Sequence, residues 1–183
     1  MNKKILISII LIIIVLLGGI GYWIYQSKIQ QPNNPIIQTV LDPRNATYTI
    51  EGEQVTLVNG LVEKQSAPGS ASTTITRYFG NEVRADYNFD GINDAAFLLT
   101  QTTGGSGTFY YVATVLSTGK TFAGTNAIFL GDRIAPQTTQ FQGREIIVNY
   151  ADRKPDEPMT TPPSVGVSRY FKVSEGRMIE VTK

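Results

Sequence analysis

The chain contains no histidine and no cysteine in 183 residues. Without either, thiol nucleophiles, imidazole bases, Ser-His-Asp triads and the usual zinc ligands are all excluded. Disulfides and attachment of a lipid to cysteine go with them. Acidic side chains are missing from one stretch in particular: residues 5–25 carry no charge of either sign, and Ser8 is the only conventionally polar residue there. All 15 acidic residues lie beyond that stretch, with 14 of the 16 basic ones. The remainder is therefore close to neutral, with no basic stripe. The sequence pI of about 7.9 is well below the value of about 9 expected of a nucleic-acid-binding domain, so nucleic acid is not an expected partner.

Twenty-one apolar residues at about 1.5 Å each span about 31 Å, the thickness of a bilayer core. Tyr22, Trp23 and Tyr25 close the run as interfacial aromatics do, and Lys3 and Lys4 precede it. The reading is a transmembrane signal anchor over residues 5–25. Residues 1–4 would be cytoplasmic and the C-terminal domain extracytoplasmic. The competing reading is a signal peptide cut after Gly21, since Gly19 and Gly21 have small-x-small spacing, but cleavable apolar regions are typically about 7–15 residues. Residues 26–44, with Pro32, Pro35 and Pro43, read as an extended linker. The compact domain is expected at 45–183.

In that domain the apolar period is two and the punctuation is glycine. Strands are expected at 47–50, 54–58, 73–79, 94–101, 108–117 and 127–130. Hairpin turns at Gly143-Arg144 and Glu175-Gly176 would place strands at 145–150, 167–173 and 178–181. No stretch has a convincing helical period. The fold class expected is all-β, a mostly antiparallel sandwich or barrel-like domain preceded by one N-terminal transmembrane helix. Residues 63–72 and 152–163 read as loops, the latter with four prolines and a charge cluster.

One constellation carries chemistry. In Asp86-Tyr87-Asn88-Phe89-Asp90-Gly91-Ile92-Asn93-Asp94, oxygen side chains stand at positions 1, 3, 5 and 9 of residues 86–94, with glycine at 6. A hard cation such as calcium takes six to eight oxygens at about 2.3–2.6 Å. Asp86, Asn88 and Asp90 would supply three, the Ile92 carbonyl a fourth, and Asp94 a fifth directly or through water. The position where an EF-hand carries its bidentate glutamate holds Phe97, inside an apolar run, so the loop should lead into a strand. The expected cofactor is a structural calcium ion. The alternative is a metal-free turn, since Asp, Asn and Gly also favour turns.

The nine residues resemble the calcium loops of FG-GAP repeats in integrin-type β-propellers and, more loosely, those of dockerins. The resemblance implies an ion site; it does not extend to a propeller, because the loop occurs once and there is no internal repeat. In Asn45-Ala46-Thr47-Tyr48-Thr49-Ile50, the acidic loop, Gly104-Gly105-Ser106-Gly107-Thr108-Phe109-Tyr110-Tyr111 and Phe129-Leu130-Gly131-Asp132-Arg133, the chain also resembles an uncharacterised group of exported, membrane-anchored bacterial proteins. That implies an extracytoplasmic setting at the bacterial cell envelope, and no activity.

Other signals are weak. Gly119-Lys120-Thr121 lacks the glycine that a phosphate-binding loop needs five residues earlier, so no nucleotide is expected. Ser117-x-x-Lys120 has the spacing of an acyl-transfer pair but falls in a turn. Glu145, Asp132, Asp152 and Glu157 are the carboxylates left for hydrolysis. The expected function is a non-enzymatic, calcium-stabilised binding domain held to the membrane through residues 5–25, with an envelope protein, glycan or peptidoglycan as partner. The alternatives are an envelope hydrolase using paired carboxylates and a structural subunit of an envelope assembly. Exposed aromatics beside Gly104–Gly107 would favour a glycan, facing carboxylates in a pocket would favour hydrolysis, and a flat apolar patch would favour assembly.

Overall fold

The computed structural model describes residues 18–23, 41–66 and 68–183. The chain divides into two compact units, 1–37 and 38–183. In the first, residues 18–23 are helical (α1). Among the described residues, no helix is long and apolar enough to cross a membrane. The remainder of the 5–25 segment read as a transmembrane helix lies outside the described residues, as does the linker up to residue 40.

Among its described residues the second unit has twelve strands. They are β1 (Thr47–Ile50), β2 (Glu53–Thr56), β3 (Leu61–Gln65), β4 (Thr73–Ala85), β5 (Asp94–Thr102), β6 (Phe109–Ser117), β7 (Phe122–Gly124), β8 (Asn126–Asp132), β9 (Ala135–Gln142), β10 (Glu145–Asp152), β11 (Val165–Ser174) and β12 (Arg177–Val181). Seven of them order as β2-β1-β8-β6-β5-β4-β3 in a nearly closed, barrel-like sheet, with β7 paired to β6. Its two end strands, β2 and β3, are neighbours in sequence. Asn59-Gly60 joins them with positive φ at both residues, as a type I′ turn requires. The Val58–Leu61 bridge and a 3.5 Å ion pair from Lys64 to Glu53 draw the seam together. The other four strands form a second sheet, β12-β11-β10-β9. Among the described residues every strand pairing is antiparallel except β1 with β8.

Ala95-Ala96-Phe97-Leu98-Leu99 is apolar throughout because β5 is covered on both faces. Ala95, Phe97 and Leu99 point into the barrel with Tyr48, Ile50, Leu57, Tyr111 and Val115. Ala96 and Leu98 point outward, against Ile146, Val148, Tyr150, Phe171 and Met178 of the second sheet. Strand alternation thus feeds two cores from one run. The Asn126 side-chain amide docks the sheets together, donating to the Met178 carbonyl and accepting the Met178 N–H, both at 2.9 Å. At Gly124 the chain passes so close to β1 that a Cβ would lie 2.3 Å from the Thr47 carbonyl oxygen. No larger residue fits there without moving backbone.

Leu41 and Pro43 are buried in this unit, and a 3-10 turn over Pro43–Asn45 leads into β1. Residues 41–44, read as the end of the linker, therefore belong to the domain, and two strand expectations change as well. Residues 63–65, read as loop, belong to β3. Strand β4 runs to Ala85, beyond the expected end at 79, because Gly80 and Asn81, both with positive φ, let the ladder shift register and continue.

Candidate functional site

The 86–94 loop connects β4 to β5, and its hydrogen bonds explain its shape. Asp86 accepts the Asp90 N–H at 3.1 Å and the Gly91 N–H at 2.8 Å on its two oxygens. Asn88 accepts the Asp90 N–H at 3.1 Å, and Asp90 accepts the Ile92 N–H at 2.8 Å. The Asn88 amide donates to Asp90 at 3.0 Å. Asp86, Asn88 and Asp90 are therefore gathered around one tight turn, which Phe89 (φ 62°) and Gly91 (φ 87°) close with left-handed backbone. The Ile92 carbonyl follows directly.

Asp94 does something different. It is fully buried at the start of β5, and its oxygens accept the Tyr87 N–H at 3.0 Å and the Ser117 N–H at 2.8 Å. Burial pushes its carboxyl up from the usual aspartate range, and those two N–H groups oppose the push. It fastens the loop to the end of β6. Among the described residues, no group of three or more His, Cys, Asp or Glu side chains is placed to hold a metal. The turn brings the two carboxylates of Asp86 and Asp90 and the Asn88 amide oxygen together, each of them engaged by the loop's own N–H groups.

Of the four carboxylates considered for hydrolysis, Asp132, Asp152 and Glu157 line one pocket of about 350 Å³ with Arg153, Lys154 and Met159, and Glu145 stands apart from it. Glu145 meets Lys183 at 2.8 Å and Lys172 at 3.5 Å, and the Lys183 hydrogen bond holds it below the usual carboxylate range. Asp132 accepts the Thr108 N–H at 2.8 Å and pairs with Arg133 at 3.1 Å. Asp152 accepts the Arg153 N–H, and Glu157 accepts the Lys154 N–H. The 152–163 loop is clamped to the barrel: Arg153 donates to the carbonyls of Thr161, Asp132 and Arg133.

Comparison with protein-family models, characterised proteins and solved structures finds no match for this chain.

Beside the Gly104–Gly107 connection, aromatic rings gather. Phe109 and Tyr111 on β6 stand next to Phe129 on β8, with ring centroids 6.3 Å and 5.4 Å from it. Phe129 is 43% exposed, while Tyr111 is buried and donates its hydroxyl to Glu51 at 2.9 Å. Gly107 lies against the Phe109 ring, where a Cβ would come within 2.9 Å of Cζ. On the other face of β6, Phe79 and Tyr110 make an edge-to-face pair at 5.3 Å. Sequence reading placed the aromatics in strands but not the β6–β8 register that sets Tyr111 beside Phe129.

A second surface lies between the loop and the β9–β10 hairpin. A groove of about 510 Å³ is lined by Tyr87, Phe89, Arg144, Lys172, Val173 and Ile179. The Arg144 guanidinium sits 3.9 Å above the centre of the Phe89 ring.

Proposed function

We propose that the 41–183 domain is a non-enzymatic binding module, held on the outer side of the cytoplasmic membrane by the 5–25 segment, with a glycan as its ligand. The observation that carries the ligand class is the exposed Phe129 ring, backed by the half-buried Phe109 and the buried Tyr111, beside Gly104–Gly107. Sugars present an apolar C–H face that stacks on an exposed ring, and their hydroxyls need acceptors such as the nearby Glu51 carboxylate. A neutral ligand suits a near-neutral domain. Asp132, Asp152 and Glu157 share one pocket, which favours the hydrolase alternative, since glycosidases need two carboxyl groups about 5–10 Å apart across the substrate. Against it, Asp132 is paired with Arg133 and holds the Thr108 N–H, and Asp152 and Glu157 hold the N–H groups of Arg153 and Lys154, so each carboxylate already has a partner within the protein.

Calorimetric titration with cellohexaose and chitohexaose, together with sedimentation on purified peptidoglycan, tests this. Binding without product release is expected, and Phe129→Ala should weaken it about tenfold, the worth of roughly 1–1.5 kcal/mol of ring contact. No binding to any of these at millimolar concentration would remove the glycan reading.

The proposal includes a calcium ion at Asp86, Asn88, Asp90 and the Ile92 carbonyl, acting as a brace. With two carboxylates the affinity expected is that of extracellular modules, about 10⁻⁴–10⁻³ M. Ten millimolar calcium should then raise the melting temperature by a few degrees, chelator should reverse the rise, and Asp90→Ala should abolish it. Superimposed melting curves would leave the loop as a turn alone.

Anchoring has its own measurement. Mass spectrometry of the native protein should retain Met1 or Asn2 at the N-terminus, and a mature terminus at Tyr22 would replace the anchor by a cleaved signal.

A further inference from the structure

We infer that the groove between the 86–94 loop and the β9–β10 hairpin is a docking site for an acidic polypeptide segment that carries apolar side chains beside its carboxylates. Its walls are apolar and open: Phe89 is 51% exposed and Ile179 46%, and both line the same concavity with Tyr87 and Val173. Apolar rings and chains left in a concave surface mark a place that another molecule dries. A bare polyanion or inorganic phosphate has nothing to put against them.

The charge around the groove selects the sign of the partner. The Arg144 guanidinium carbon sits 3.9 Å from the centre of the Phe89 ring, and the side chain makes no hydrogen bond or ion pair among the described residues, so its N–H donors are left for a partner. Lys172 and Lys183 share a single carboxylate, Glu145, and Lys183 is the closer of the two. Three cations against one anion leave this edge of the second sheet positive. The acids on the opposite side, Asp86 and Asp90, turn their oxygens onto their own loop's N–H groups. Their charge opposes a dense polyanion such as nucleic acid and tolerates one or two carboxylates directed at Arg144 and Lys172.

Backbone strain points to the same pair. Phe89 and Arg144 both hold left-handed backbone, with φ of 62° and 69°, a region that bulky side chains rarely occupy. Asparagine or glycine would serve the two-residue turn at 143–144 better. Arginine there places a guanidinium on the ring, and the strain is retained at that contact.

A displayed library of random 12-residue peptides, selected on the full chain purified in mild detergent, tests the inference. Enrichment of sequences with Asp or Glu next to Leu, Ile or Phe is expected. A selected peptide should bind about tenfold or more weakly to Arg144→Ala and to Ile179→Asp, weaken as salt rises, and bind unchanged to Phe129→Ala. The last result separates the groove from the Phe129 ring, so the peptide site stands or falls apart from the glycan reading. Enrichment of basic or neutral peptides, no enrichment, or equal binding to Arg144→Ala overturns it. So does displacement of the selected peptide by anionic phospholipid vesicles but not by neutral ones, which would assign the groove to lipid.

Discussion

Asp94→Ala is expected to destabilise the domain by about 3–5 kcal/mol, because it leaves two buried N–H groups without an acceptor at about 1–3 kcal/mol each and opens a small void. The carboxylate is fully buried and holds the Tyr87 and Ser117 N–H groups at 3.0 and 2.8 Å. Neither amide can turn to water, since one begins the 86–94 loop and the other ends β6. For a domain of this size each kcal/mol shifts the melting temperature by roughly 2–5 °C, so a fall on the order of 10 °C is expected. Asp94→Asn keeps one acceptor and should fall between. Asp90→Ala removes an exposed carboxylate and should cost less than half as much in the absence of calcium. If urea unfolding puts Asp94→Ala within about 1 kcal/mol of the unaltered chain, the residue is not the fastener described here.

Phe97→Ala should be comparably severe. Phe97 is fully buried in the barrel, with the Tyr48 ring edge-on at 5.4 Å and the Tyr78 ring tilted at 5.3 Å. Removing it deletes two aromatic contacts and leaves a cavity that β-strands fixed on all sides cannot collapse into; large aromatic truncations of this kind cost about 3–5 kcal/mol. A domain stable by about 5–15 kcal/mol loses a large share of its margin. The comparison is Phe129→Ala, which removes the same side chain from a 43% exposed position and should change stability by less than about 1 kcal/mol. Equal losses at the two positions would mean that Phe129 is core and not surface.

Much of the strand pattern was legible because period-two alternation and glycine turns are local signals. Thr47–Ile50, the apolar run of β5, the β6 strand and the hairpins at Gly143-Arg144 and Glu175-Gly176 all follow from it. Strand β3 is marked locally by Asn59-Gly60 ahead of Leu61-Val62, a strong hairpin signal, whereas the largely polar β9 shows little apolar alternation. The three-residue β7 had none, as it is too short to show a period. The split of β5 between two cores could not be read either. A run buried on both faces looks the same in a barrel wall, a sandwich or a buried helix until its partners are known.

The candidate sites divide along the same line. The spacing of Asp86, Asn88 and Asp90 announced a turn that gathers oxygens, and the turn is there. The different task of Asp94 depended on Ser117, a residue distant in sequence, and so was hidden. Arg144 over Phe89 and Tyr111 beside Phe129 are also products of long-range register, not of spacing.

The lone parallel pairing, β1 with β8, bears on the order in which the chain is made. The β1–β2 hairpin is synthesised first, yet its seat along Asn126 and Ala127 comes after five further strands. One backbone edge of β1 must wait unpaired until β8 arrives, even though Phe97 and Leu99 of β5 are made in time to cover Tyr48 and Ile50, which places barrel closure late and makes its rate a matter of long-loop entropy. A nascent chain halted before residue 126 would hold an open strand edge, ready to pair with a second chain.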